Sequence, residues 1–422
     1  MKILTKAIEI LKNPICDNCL GREFSELLSG YSNEQRGKVI RQFISFVIDS
    51  DEKVEVDLSN FYGIKFRNVK IKPQRPKRCK ICKNFFQEKI DKVVEKIREK
   101  IKGIEFDTFL IGSIIPDEMV KAQEKLWTKV GIEYVEPIKS EINRELGKRI
   151  EKLTGKKFDL KNPDVTVLVD LDTDSIRAQV RSLYVFGRYQ KLARGIPQTK
   201  WICPKCEGRG CTYCNGKGKL YPTSIQEIIE KPLLKVVKAK KSKFSGAGRE
   251  DINARCLGLR PFVIELTKPI RRKIDLKKIE KQISRSKKIK VKGLKFTGKD
   301  LIRKLKTARI DKTYSTKVEF KKKIDKNKLK KFKDLLKEPI LQKTPLRVVH
   351  RRTDKFRRRA VKKISWKILG NKKLQLKIRS ESGLYIRELI TGDEGRTQPN
   401  IADLLGNKVK KIELDVIKIH EK

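Results

Sequence analysis

Eight of the nine cysteines of this chain fall in four C-x-x-C pairs, Cys16/Cys19, Cys79/Cys82, Cys203/Cys206 and Cys211/Cys214, with Cys256 alone. In a reducing compartment thiols at this spacing read as metal knuckles and not as disulfides, and four thiolates suit a closed structural zinc site. Cys203, Cys206, Cys211 and Cys214 follow C-x-x-C-x4-C-x-x-C, with Gly208, Gly210, Gly216 and Gly218 allowing tight turns, and predict one compact knuckle at 203–214. Cys16, Cys19, Cys79 and Cys82 are split by a long gap, so a shared ion would pin an N-terminal helix to a distant loop. Four protein ligands leave no open coordination position. One or two structural zinc ions are therefore expected, without a role in chemistry.

The charge balance points to the partner. Lys and Arg number 104 against 52 Asp and Glu, a formal +52 over 422 residues. That excess costs self-repulsion in a compact state and is natural for a protein that binds a polyanion. No apolar run approaches the ~20 residues of a spanning helix and no signal peptide opens the chain. Cytoplasmic RNA or DNA is favoured over a membrane. A ribosomal protein would share the charge but is ordinarily shorter. The length predicts two or three domains.

Residues 2–12 have helical apolar spacing, stopped by Asn13 and Pro14, and Ile90, Val93, Val94, Ile97 and Ile101 predict an amphipathic helix over 87–102. Strands are expected at 106–115, 165–171 and 176–186, and a helix at 140–153. Residues 187–201, GRYQKLARGIPQTKW, read as a junction whose Arg188, Lys191, Arg194 and Lys200 among Tyr189 and Trp201 suit RNA contact. Ser224 and Glu227 predict a capping box, with Pro232 ending or kinking the helix. The most basic stretch, 268–337, keeps helical spacing at Ile274–Ile283 and Leu301–Leu305 and is no disordered tail. Two basic clusters, Lys235–Lys243 and His350–Arg359, flank one candidate carboxylate and suggest a phosphate track.

That carboxylate is Asp251, in GAGREDINARCLGLRPFVIEL, where a glycine-rich turn meets an apolar strand. Most Arg-Glu-Asp triplets are solvated turn charges, so the motif needs company. It is found in Lys312 and Tyr314 of DKTYST and in Tyr385, Ile386 and Arg387 of SGLYIRELI. In this order the three motifs resemble those of pseudouridine synthases. The strings GRYQKLARGIPQTKW, YPTSIQEII, GAGRED with RPFVIEL, QKTPLRVVHRRTD and GLYIRELITGDEGRTQPNIADLLG are similar to the archaeal tRNA pseudouridine synthase family that modifies uridines 54 and 55 of the T arm. Asn162, Pro163 and Asp164 before an alternating strand, with a second strand ending in Leu183, Tyr184 and Val185, resemble the RNA-binding THUMP domain.

The resemblance implies an α+β protein with a zinc-containing THUMP-like domain at 1–188. A pseudouridine synthase domain at 189–422 would follow, with a mixed central sheet flanked by helices. It implies that Asp251 is the nucleophile or the proton-abstracting carboxylate, that Arg387 pairs with it and holds it ionised, and that Tyr314 stacks on the uracil and helps remove the carbon 5 proton. Arg249, Tyr385, Arg188, Arg351 and Arg352 would contact RNA. No catalytic cofactor is implied; tRNA is the partner, with no obligatory protein partner and a monomeric state. Two departures stand out: Asn253 replaces an expected aspartate, and the link from Leu257 to Arg260 is one residue short. The rival readings are a silent tRNA-binding or chaperone protein, distinguished only by turnover, and a THUMP-bearing methyltransferase using Gly246–Gly248. The latter loop should open a helix, whereas a strand is expected after it.

Overall fold

The computed structural model describes every residue except 1, 73, 351 and 422. The chain forms two compact units, Met1–Arg181 and Ser182–Lys422. The division falls at Arg181 and not at Arg188, because Leu183–Lys191 is one strand of the second unit's sheet. The expected strand 176–186 is thus two strands, interrupted at Arg181–Ser182 and belonging to different sheets.

The first unit contains α1 (Lys2–Leu11), α2 (Asp17–Arg22), α3 (Asn33–Asp49), α4 (Ile90–Ile101), β1 (Thr108–Ile114), α5 (Asp117–Val130), α6 (Ile138–Thr154), β2 (Lys157–Phe158), β3 (Val165–Asp170) and β4 (Ser175–Val180). The periodic apolar residues of α4 are all buried, and the helix is preceded by a wide turn at Phe85–Lys89. The sheet order is β2-β1-β3-β4, parallel except for the β3–β4 pair. Side chains of β1 alternate between core and surface, as a sheet with one well-covered face requires. Helix α3 starts at a reciprocal Ser32–Gln35 capping box. It lies backbone-close to α2, for a Cβ on Gly21 would fall 1.8 Å from the Asn33 carbonyl oxygen. That close approach holds the helix that carries Cys19.

The second unit contains β5 (Leu183–Lys191), α7 (Ile225–Val237), β6 (Lys241–Gly246), β7 (Arg255–Thr267), α8 (Leu276–Ser284), β8 (Ile289–Thr297), α9 (Asp300–Thr307), β9 (Asp311–Phe320), β10 (Ile340–Gln342), α10 (Leu346–Val349), β11 (Arg357–Arg359), β12 (Val361–Gly370), β13 (Lys373–Ser380), α11 (Ile386–Thr391), β14 (Thr397–Gln398), α12 (Ile401–Leu405) and β15 (Val409–His420). Helix α7 begins at the Ser224 cap and continues through a buried Pro232, which does not end it. The main sheet runs β12-β13-β9-β15-β7-β5-β8, and a small one β11-β10-β14.

Strand β7 is the seam. One edge pairs with β5 from Cys256 to Leu266, with a register shift between Cys256 and Arg260, while the other changes partner: β15 joins it in parallel at Arg255–Cys256, and β6 joins it antiparallel at Phe262–Thr267. Separate apolar cores cover the two halves, one under α7 and α8, the other under α11, α12 and the turns at 327–336. The loop carrying Asp251 leaves β6 and enters β7 at this change of partner. No helix among the described residues is long and apolar enough to cross a membrane.

Candidate active site

Loop 247–254 is fixed from beneath by buried charge. Arg260 on β7 donates to the Ala247 carbonyl at 2.8 Å and pairs with Glu250 at 3.0 Å, both side chains being 1% exposed. The Tyr189 hydroxyl donates to the same carboxylate at 3.0 Å, and Gln198 donates to both the Tyr189 oxygen and the Gly248 carbonyl. Lys191 Nζ donates to the carbonyls of Ile252 and Asp251 at 2.7 and 3.1 Å. Arg194 holds the Asn253 carbonyl at 2.6 Å and Asp415 of β15 at 2.7 Å. An ion pair this deep loses hydration, and the hydrogen bonds around it offset that cost by holding one geometry. Gly248 has φ +74°, and a Cβ there would sit 3.3 Å from the Arg260 guanidinium.

What the loop presents is the Asp251 carboxylate, its side chain 30% exposed. Its Oδ1 receives Arg347 Nη1 at 3.0 Å and its Oδ2 receives Arg387 Nε at 3.2 Å. Arg387 stands in the first turn of α11, where Gln342 clamps the Tyr385 backbone by both its amide nitrogen and oxygen. Arg347 lies on the short α10 and also reaches buried Glu388 at 2.6 Å. Tyr314 lies on β9 between Ile378 and Val416. Burial pushes its phenol up to about 12; Arg260 opposes this and the charge of Asp251 adds to it. At neutral pH that phenol is a proton donor with an aromatic face; its phenolate would be a strong base but is scarcely populated there. Burial brings Lys312 down to about 8, and its ammonium donates to the Ile310 carbonyl.

The structure thus brings Asp251, Tyr314 and Arg387 together. Arg249 is exposed on the same loop. Arg352 is exposed and donates to the Tyr385 hydroxyl at 2.7 Å, linking the basic segment to the start of α11. Arg351 lies outside the described residues. Arg188 is elsewhere on β5, paired with Glu421 at 2.6 Å and stacked 5.1 Å from the Phe186 ring. Tyr189 and Lys191, expected to face RNA from a junction, are fully buried and serve the loop instead. Asn253 contributes its carbonyl to the site. The short 257–260 link lies within strand β7 at a register shift against β5, between the Cys256 and Arg260 pairings, and a Cβ on Gly258 would approach β15 to 3.0 Å. Sequence reasoning missed Arg347, the first cation of a cluster whose other members drew the attention.

Both cysteine tetrads are assembled. In each, the four sulfur atoms lie within 4.8 Å of one another, and all nine cysteines are free thiols. Bonds of ~2.3 Å in a tetrahedron place sulfurs about 3.8 Å apart. Cys203–Cys211, Cys206–Cys214 and Cys211–Cys214 stand at 3.8 Å, and Cys16–Cys82 at 3.4 Å. Backbone amides of Gly210 and Gly218 donate to Cys206 and Cys214 at 3.2 and 3.1 Å, contacts that favour thiolate. Either set could hold a structural metal. Cys256 is an ordinary core thiol, pushed up to about 11 by burial.

Two family models match the chain: "Pus10 THUMP domain, archaeal" over residues 93–170 and "Pus10, C-terminal" over 184–420. A protein of Methanothrix thermoacetophila named tRNA pseudouridine synthase Pus10 is 38% identical over 99% of this chain and 94% of its own length. Proteins of the same name from Methanopyrus kandleri and Methanocaldococcus jannaschii are 40% and 39% identical. They cover 96% and 98% of this chain and 95% and 94% of their own. A solved Cbf5-Nop10-Gar1 complex aligns loosely, at 15% identity and TM-score 0.29 over 54% of this chain and 47% of that one.

Proposed function

The chain belongs to the Pus10 family of tRNA pseudouridine synthases, and from that membership we propose that it isomerises uridines 54 and 55 in the T arm of tRNA with Asp251 as the reacting carboxylate. The observation that carries this reading is the Asp251 carboxylate suspended between Arg347 and Arg387, within electrostatic reach of Tyr314. The reaction breaks the bond from N1 to C1′, turns the base and joins C5 to C1′. The C5 proton leaves and N1 ends protonated, so no electrons enter or leave and no redox cofactor is needed.

Asp251 acts as nucleophile or as proton-abstracting base, and in either role one of its oxygens must be released to the substrate. Arg347 is the arginine that can let go: its side chain is 40% exposed, and Glu388 keeps it paired when Asp251 is lost. Arg387 remains to hold the second oxygen. Tyr314 stacks on the extruded uracil. Phosphate contacts from Arg249, Arg188, Arg351 and Arg352, with Tyr385 anchoring the last, offset the few kcal/mol that base flipping costs. Structural zinc in each tetrad keeps the RNA-binding scaffold folded and stays out of the reaction.

The test is incubation with unmodified tRNA transcript and no added cofactor, followed by carbodiimide mapping of pseudouridine. Product at positions 54 and 55 is expected, absent with Asp251→Ala, while the variant's tRNA affinity stays within a few-fold. Tight binding by the wild-type protein without product would replace this reading with a silent tRNA-binding protein.

A further inference from the structure

The knuckle at 203–214 has an unusual economy. Its interior is made of its own cysteines, with Cys203, Cys206 and Cys214 buried against one another. The large side chains around it therefore have no core to enter. Ile202 is 56% exposed, Tyr213 55% and Leu220 38%. Tyr213 stands beside Lys205, whose ammonium lies 4.7 Å from the ring centre. Lys200, Lys205, Arg209, Lys217 and Lys219 face one acid, Glu207, within residues 200–220. Lys219 is neutralised by Glu227 from α7, while Lys205, Arg209 and Lys217 are exposed. Five cations less one carboxylate give +4, so even with the −2 of a loaded four-thiolate zinc centre the segment keeps +2.

The knuckle is also tied to the reactive loop. Its stem pairs Ile202 with Lys219 and runs back to Gln198, which donates to the Gly248 carbonyl at 2.9 Å. A rigid, cationic platform with an exposed aromatic ring suits an unpaired nucleotide: the ring offers a stacking face and the ammonium groups meet the adjoining phosphates.

We propose that the 203–214 knuckle is a second RNA-contact surface of the catalytic unit, in which Tyr213 stacks on an unpaired base of the tRNA while Lys205, Arg209 and Lys217 contact neighbouring phosphates. This rests on tRNA being the substrate. Because the stem ends at Gln198, RNA seated on the knuckle bears on the same hydrogen bonds that fix the loop before Asp251.

The experiment measures affinity for unmodified tRNA transcript in the Asp251→Ala background, where turnover does not enter, together with metal content. Tyr213→Ala and Tyr213→Leu are expected to weaken binding at least about fivefold with metal content unchanged, and Tyr213→Phe to bind as the parent does. Lys205→Ala should reduce the slope of log affinity against log salt by about one. Parent-like binding by both the Ala and Leu variants overturns the proposal. So does a loss that Phe fails to rescue, which would assign the hydroxyl and not the ring face. Turnover by the wild-type protein is scored separately. Product from the wild type with parent-like binding by the Tyr213 variants rejects the knuckle surface alone, whereas absence of tRNA binding by the parent rejects both readings.

Discussion

The two cysteine tetrads look alike in sulfur geometry and differ in what they tie together. The first draws ligands from α2 and from residues 79–82 into the main core of its unit, beside an Arg22 that is wholly buried and pairs with Glu141 at 3.1 Å. The second closes twelve residues on themselves and has a core of its own. In the second unit the long-range fastening is done by cations instead: Lys191 and Arg194 reach the loop around Asp251 from about sixty residues earlier, and Arg260 backs it from the strand that follows. A metal centre would fasten segments through four thiolates at once, and acid that protonates those ligands would release it. A buried ammonium fastens carbonyls only at the cost of its own hydration, and so remains sensitive to protonation. The first unit gathers distant segments at sulfur, the second holds the Asp251 loop with nitrogen donors.

The largest effect should come from breaking the first tetrad. Structural zinc sites bind with ~10–16 kcal/mol, as much as a domain's whole stability. Cys82→Ser is therefore expected to abolish amide-exchange protection throughout 1–181, whereas Cys211→Ser should lose protection only around 203–214. Equal, local losses would erase the contrast. Next, Lys191→Met should leave the protein folded yet lower kcat by about a hundredfold, since a displacement of ~1 Å at the reacting group costs that much. Unchanged kcat would remove Lys191 from the loop's support.

The smallest effect is a pH dependence. Burial, countered by Glu250, brings the Lys191 ammonium down to about 8 from its ordinary 10.5. The unfolded chain therefore holds a proton that the folded chain has given up between about 8 and 10.5, and stability rises with pH across that window. Cys256, raised to about 11, pulls the opposite way above its ordinary 9. The informative quantity is thus the difference between wild type and Lys191→Met in thermal unfolding from pH 8 to 10.5. The variant should lack the upward contribution, and identical pH profiles would contradict it.

The parts legible in the sequence are those where one physical rule acts locally. The spacing of Ile90 to Ile101 can satisfy only a helix with one wet face, and cysteine pairs announce their geometry through ligand chemistry. Asp251 and Arg387 could be singled out only together with Tyr314, by the resemblance of the three motifs to those of pseudouridine synthases, since a glycine turn before a charged residue is common. Arg347 carries no such mark: its importance arises from where α10 lies, which tertiary packing sets. Lys191 and Tyr189 misled because charge and a hydroxyl normally report exposure, and here both are buried, Lys191 to hold backbone carbonyls and Tyr189 to hold the Glu250 carboxylate. Strand β6, KSKFSG, looked like a basic approach because four of its six residues are polar and two of those are lysines; β7 pairing overrides that composition.

The seam in the main sheet bears on how the protein is made. Asp415 of β15 holds Arg255 of β7, a residue 160 positions earlier. At ribosomal speeds of ~5–20 residues per second, that interval is on the order of ten to thirty seconds. Throughout it the β15-pairing edge of β7 waits unfilled, and Asp251 has neither Arg347 nor Arg387 beside it when the loop first emerges. The Asp251 carboxylate thus gains its two arginines only from late-arriving chain, so a truncated or stalled product of translation would carry the basic surface without the assembled carboxylate–arginine cluster.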